Sequence, residues 1–193
     1  MKLKPFLPQI IAFLIFLFFT IFTVSAIIAD QEDLKILEYG EEKVESIQEN
    51  AFVKLFKTNV WKTTNVKGRF YCKEANTGQL TIDGPAVIED STIRGRVVVM
   101  GPLTIKNSIF IENLEITGKK SFIYGSTINS VFMFRPKGYT GKLVLEVSDN
   151  TFLKGSVIFD SGEGEVILKG GSKIRGAVIK GILIDENTAE ELE

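Results

Sequence analysis

Between Gly84 and Thr117, apolar and polar positions alternate in short runs that repeat after 17 residues: residues 84–100 read GPAVIEDSTIRGRVVVM and residues 101–117 read GPLTIKNSIFIENLEIT. Superposed, the two units keep Gly84 on Gly101, Pro85 on Pro102, Ile88 on Ile105 and Ser91 on Ser108. Other slots exchange like for like: Asp90 with Asn107, Ile93 with Phe110, Val97 with Leu114 and Val99 with Ile116. A third unit from Gly118 starts in register, with Phe122 in the Ile105 slot. An inserted residue then moves Ser126 to 18 positions after Ser108 and brings Phe132 and Phe134 to the Leu114 and Ile116 slots. Self-similarity at a short fixed period marks a chain built from stacked units.

A unit of this length holds about three strands of four to five residues with tight corners, one coil of a parallel β-helix with coils about 4.8 Å apart. Period-two geometry then points Val97 and Val99 inward with Leu114 and Ile116, and Glu115 outward. Glu89 stacks beside Lys106, an opposite-charge neighbour pair of the kind that contributes about 0.2–1 kcal/mol. The fold class expected is mainly β: a right-handed parallel β-helix of about five or six short coils, its hand following the rule for parallel crossovers. A β-sandwich is the alternative, because short strands with regular turns also describe one.

On either side the pattern changes. In residues 31–57, Leu34, Leu37, Val44, Ile47, Ala51 and Leu55 recur at three- and four-residue steps among Glu and Lys, the signature of an amphipathic helix. Gly40 interrupts it, so one helix or two shorter ones are predicted. Residues 30–77 therefore read as a helical cap and linker and residues 78–184 as the β-helix. Residues 67–73 (KGRFYCK) lead into the first coil. Residues 135–142 (RPKGYTGK) break the period as a loop, by their Pro and Gly content. Strand-like runs return at 143–147, 156–159 and 165–168, and KIRGAV at 173–178 echoes TIRGRV at 92–97. Residues 185–193 form an acidic tail with too little apolar surface to order.

Residues 1–29 carry Lys2 and Lys4 ahead of an uncharged apolar run over residues 10–29. This is a signal peptide or an N-terminal membrane anchor helix, with the lysines on the cytoplasmic side. Either reading puts the body outside the cytoplasm: periplasmic, secreted, or anchored at the cytoplasmic membrane through residues 10–29. Without residues 1–29 the chain has 21 basic against 24 acidic residues, which gives no concentrated basic face for nucleic acid.

The chain has no histidine, which removes the commonest general base and transition-metal ligand. The lone Cys72 excludes an internal disulfide and zinc sites of the usual Cys/His composition, and it reads as a small buried residue. Asp83, Glu89, Asp90, Glu146 and Asp149 are the carboxylates available for the acid/base pair of a glycoside hydrolase. They fall in turn or outward slots, and no spacing motif pairs any two of them. Residues 160–165 (DSGEGE) gather three carboxylates of the hard-oxygen type that calcium takes, but match no ligand-spacing motif and read as a flexible turn. No catalytic residue, cofactor or metal is expected. The best candidate for binding is the loop, which interrupts a regular scaffold and brings Arg135, Lys137 and Lys142 around Tyr139 for an anionic envelope polysaccharide or lipid.

The coils rich in Val, Ile, Gly and charged turns, ending in GSKIRGAVIKG at residues 171–181, resemble the β-helical core of bactofilins, bacterial proteins that polymerise end to end. Exported bacterial β-helical repeat proteins compare equally well. The bactofilin resemblance implies a structural polymer without catalytic residues or bound nucleotide. Two features depart from it: bactofilins act on the cytoplasmic side, and the expected helical cap would block the first coil. The function expected is that of a non-enzymatic exported scaffold of the cell envelope, self-associating as a homo-oligomer through β-helix ends. A binding module for anionic envelope glycans or lipids is the alternative, and a polysaccharide-active enzyme ranks third.

Overall fold

A computed structural model describes residues 35–187; the expectations for residues 1–29 and for residues 188–193 lie outside them. The described chain is a parallel β-solenoid of about nine turns with three faces. One coil shows the unit: Ala86–Glu89 lies on the first face, Thr92–Ile93 on the second and Val97–Met100 on the third. The first face stacks nine strands, from Ile36–Gly40 through Ala86–Glu89 and Leu103–Lys106 to Gly181–Asp185. The other two faces belong to one fourteen-stranded sheet, because Asn59–Lys67 and Asn76–Asp83 run through the corner between them. Counted along the first face, coil 1 starts at Ile36, coil 4 at Ala86, coil 6 at Lys120, coil 7 at Leu143 and coil 9 at Gly181.

Short β-branched runs build these strands because such side chains fit a pleated, half-buried surface. Their inward rows stack residue on residue: Leu80, Val97, Leu114, Val131, Val157 and Val178 form one column in register, and Ile82, Val99, Ile116 and Met133 form the next. Val99 and Ile116 are fully buried, as their alternation predicts. Glu89 meets Lys106 at 3.1 Å, as the stacking requires. Lys54 with Glu38 and Lys120 with Glu146 tie other neighbouring coils in the same way. Exposed pairs of this kind add little stability but disfavour slipped registers.

The parallel pairing of every described strand pair with an adjacent coil excludes the β-sandwich. The described residues contain no helix, and the expected helical cap is instead the first two coils and much of the third: Ile36–Gly40, Phe52–Phe56, Asn59–Lys67 and Phe70–Lys73 are all strands. Here Leu37 and Val53 are cross-strand neighbours, as are Tyr39 and Leu55. The three- and four-residue steps arose because corners after Gly40 and Val44 add residues to a period of two, and the sum imitates a helical spacing. The solenoid thus starts at Ile36 rather than Gly78, has about nine coils rather than five or six, and leaves residues 67–73 inside it. Asp185 ends a strand, and the Glu186 N–H donates to the Leu168 carbonyl at 2.8 Å, so the tail is ordered this far.

The third unit is phased differently from the sequence alignment. Ile123 takes the Ile105 slot and Phe122 pairs with Thr104, facing outward. Val131 and Met133, not Phe132 and Phe134, stack on Leu114 and Ile116. The extra residue enters earlier, at Lys119–Lys120, and the next corner is one residue shorter, so the period of 17 is restored.

Two kinds of corner hold the coils in phase. Between the first and second faces, a residue with left-handed φ precedes a buried small residue: Lys57–Thr58, Glu74–Ala75, Asp90–Ser91, Asn107–Ser108, Gly125–Ser126, Asn150–Thr151 and Gly171–Ser172. The Ala75 N–H donates to Ser91 Oγ at 3.1 Å, the Ser91 N–H to Ser108 Oγ at 3.1 Å and the Ser108 N–H to Ser126 Oγ at 3.0 Å. The Ser126 and Thr151 N–H groups continue the ladder to Thr151 Oγ1 and Ser172 Oγ. Each middle hydroxyl donates onward within its own coil, as Ser108 does to the Lys106 carbonyl at 2.7 Å. Between the third and first faces, Gly84 (φ 147°) and Gly101 (φ 155°) stack so closely that a Cβ on Gly84 would lie 2.1 Å from the Gly68 carbonyl oxygen.

Ser108→Ala removes the acceptor for the Ser91 N–H and the donor to Lys106, leaving a buried N–H unpaired at a cost of about 1–3 kcal/mol. Its melting temperature, followed by circular dichroism, is expected to fall by roughly 2–12 °C, while Ser108→Thr, the residue type at positions 58 and 151, melts close to wild type. Equal melting of wild type and the alanine variant would remove the ladder as a determinant of stability.

Candidate functional site

The eight residues 135–142 stand where coils 2 to 5 turn from the third face to the first at a closely packed glycine, Gly68, Gly84, Gly101 or Gly118. Their backbone makes a turn in which the Tyr139 N–H donates to the Pro136 carbonyl at 3.0 Å and Gly138 takes φ 78°, the glycine position of a type II turn. Arg135 anchors it. Its guanidinium donates to the Gly141 carbonyl at 2.5 Å, to Ser161 Oγ at 2.7 Å and to Glu163 at 3.1 Å, while its N–H donates to Asp160 Oδ2 at 2.9 Å. The turn at residues 160–165 therefore works as a clamp on the loop.

The four loop residues named from sequence have four different fates. Arg135 is held by the chain's own acceptors and Lys142 pairs with Glu165. Tyr139 packs partly against the core, its hydroxyl donating to the Lys142 carbonyl, with Lys119 Nζ 5.0 Å from its ring centre. Lys137 sits exposed at the tip, with no ion pair among the described residues. The loop therefore does not gather three free cations around one ring.

What the loop does build is a groove of about 640 Å³ across the two preceding glycine corners. Met100, Pro102, Phe122 and Pro136 supply its apolar lining, Lys119, Lys120 and Lys137 supply cations, and none of its lining residues is an acid. Phe122 reaches it because the Lys119–Lys120 insertion turns that side chain outward, where it stacks beside Tyr124 with ring centres 6.2 Å apart. Sequence reasoning does not name Lys119, puts Phe122 in an inward slot, and reads residues 160–165 as a flexible turn. The available signal was two charged residues standing where the two preceding units have Pro and an apolar residue.

Three of the candidate carboxylates are engaged by partners within the chain. Glu89 pairs with Lys106 and accepts from the Tyr71 hydroxyl at 3.1 Å, Asp90 accepts from Asn107, and Glu146 sits between Lys120 and Lys169. Cys72 lies in the core, and burial pushes its thiol up to about 12. With its own proton donated to the Glu89 backbone carbonyl, the Ser91 hydroxyl accepts a hydrogen bond from the thiol at 3.3 Å. The unfolded thiol ionises near 9.0, so its contribution to stability is present below that pH and is lost as pH rises toward 12. No family model, curated protein or solved structure matches the chain.

Replacing Arg135 by Gln removes charged hydrogen bonds worth about 2 kcal/mol, so trypsin cleavage at Lys137 is expected to rise roughly thirtyfold when opening precedes cleavage. Cleavage at the wild-type rate would show that the clamp does not hold the loop. Iodoacetamide at pH 8 is expected to leave native Cys72 unmodified and to label it fully in denaturant; rapid native labelling would contradict its place in the core.

Proposed function

We propose that the protein is an exported, non-enzymatic scaffold of the cell envelope that self-associates through the C-terminal end of its solenoid, with right-handed coils of the bactofilin kind. The observation that carries this reading is the state of that end. Gly181–Asp185 pairs with Gly164–Leu168 on one side and with no described strand on the other. Lys173–Ile174 and Val178–Ile179 are likewise last in their faces. Beneath them a hollow of about 940 Å³ is lined in part by Leu168, Ile174, Val178 and Leu183.

Among the described residues, one corner of this end is closed. Asn187 Nδ2 donates to the Ser172 carbonyl at 3.0 Å and Asn187 Oδ1 accepts from the Gly171 N–H at 2.8 Å, finishing the hydroxyl ladder. Elsewhere Ile182 is 56% exposed and Leu183 48%. An unpaired strand edge with apolar side chains beside it is a template for pairing with another chain, and solenoids that stay monomeric carry polar caps. A second copy supplies both strand and apolar surface. Export rests on residues 1–29, and the lack of catalytic residues on the missing histidine and the separately paired carboxylates.

The core formed by the described residues lies downstream of Lys35, so residues 30–193 are the species to weigh. Sedimentation across a concentration series is expected to show assembly, and Leu183→Glu to weaken it by about 2 kcal/mol, roughly thirtyfold, without lowering the melting temperature appreciably. A monomer at every concentration would retire the scaffold reading.

A further inference from the structure

We propose that the groove beneath residues 135–142 seats an acyl chain of an anionic phospholipid whose acidic headgroup pairs with Lys119 and Lys137. The groove's volume, about 640 Å³, lies within the range of small-molecule sites. Its lining joins the apolar Met100, Pro102, Phe122 and Pro136 to cations and to no acid. Of the cations, Lys120 is engaged by Glu146 at 3.1 Å, whereas Lys119 has the Tyr139 ring and Lys137 has no carboxylate among the described residues. A slot that is apolar along its length and cationic at its edge complements a ligand that is apolar at one end and acidic at the other.

Other ligand classes fit less well. A glycan would need hydrogen-bonding side chains along the groove, and apart from the lysines the lining offers only Thr117. A small inorganic anion would leave the apolar lining without a role. The groove also continues onto exposed apolar side chains: Met100 and Phe134 stand in one outward row through Thr117 and are 42% and 37% exposed. Apolar side chains flanked by lysines are the arrangement by which a protein surface beds into the headgroup layer of an acidic bilayer. This reading does not depend on self-association, because every residue of the groove comes from one copy.

The test uses the full chain in lipid nanodiscs containing phosphatidylglycerol with a diazirine in its acyl chain, the crosslinks being mapped by peptide mass spectrometry. Labelling is expected at Met100, Phe122 and Pro136, and is expected to drop when the photoactive lipid is phosphatidylcholine. The double variant Lys119→Ser/Lys137→Ser should reduce groove labelling about thirtyfold, the loss of two lysines' attraction to an acidic surface. Phe122→Ser, outside the core, should reduce it with the lysines intact. Circular dichroism melting at the wild-type temperature establishes that each variant is folded. Equal labelling by the two lipids, labelling untouched by the lysine change, or labelling confined to residues 1–34 with none in the groove would each overturn the proposal.

Discussion

At the first corner of every coil from the second to the eighth, the backbone turns through a left-handed residue, and in coils 3 to 7 the N–H that follows faces a hydroxyl of the next coil. A buried N–H without a partner costs about as much as a lost hydrogen bond. The hydroxyl of Ser91, Ser108, Ser126, Thr151 or Ser172 accepts the hydrogen bond from that N–H, and the first four donate in turn to a carbonyl of their own coil. Everything else follows from keeping this line straight. The slot must be small, polar and preceded by a residue tolerant of left-handed φ, so Asp90, Asn107, Gly125 and Asn150 stand beside the hydroxyls. Once that corner is fixed, the alternation of the flanking strands decides which side chains enter the core.

This constraint explains why the architecture was legible in the chain. Ser91, Ser108 and Ser126 recur at 17 and 18 residues, and the stacking of Val97 on Leu114 and of Glu89 beside Lys106 followed from the two central units alone. In the first coils the ladder is incomplete, with Thr58 and Ala75 in the slot, and the corner spacing imitates a helix. No serine marked the phase there, and the period-two signal in strands as short as Lys43–Val44 is too brief to outweigh an apparent helical spacing.

The misphased third unit has a different cause. Phe122, Phe132 and Phe134 attract an inward assignment because large apolar residues are usually buried, yet Ile123, Val131 and Met133 take the inward slots. The aromatics outside are what give the corner its groove. The loop is therefore legible in the sequence as an interruption of the repeat, but the contacts its side chains make are not. Arg135, a candidate ligand-binding cation by sequence, anchors the loop, and Lys119, twenty residues before the ring it covers, has no sequence link to the loop. Long-range partners of an insertion leave no periodic trace.

The passage from coil 6 to coil 7 carries one more implication. Residues 135–142 enlarge a corner, yet Val131 still stacks on Val157, and the Ser126 N–H still reaches Thr151 Oγ1, although that slot is 25 positions away. Phase is thus kept by contacts between coils and not by counting along the chain. The third-to-first-face corner is a socket that accepts extra chain without disturbing the core, and the number of coils is a free variable. Tandem duplication of residues 101–117 would lengthen the rod by about 4.8 Å, and divergence at that one corner would let related solenoids of different lengths carry different appendages on the same frame.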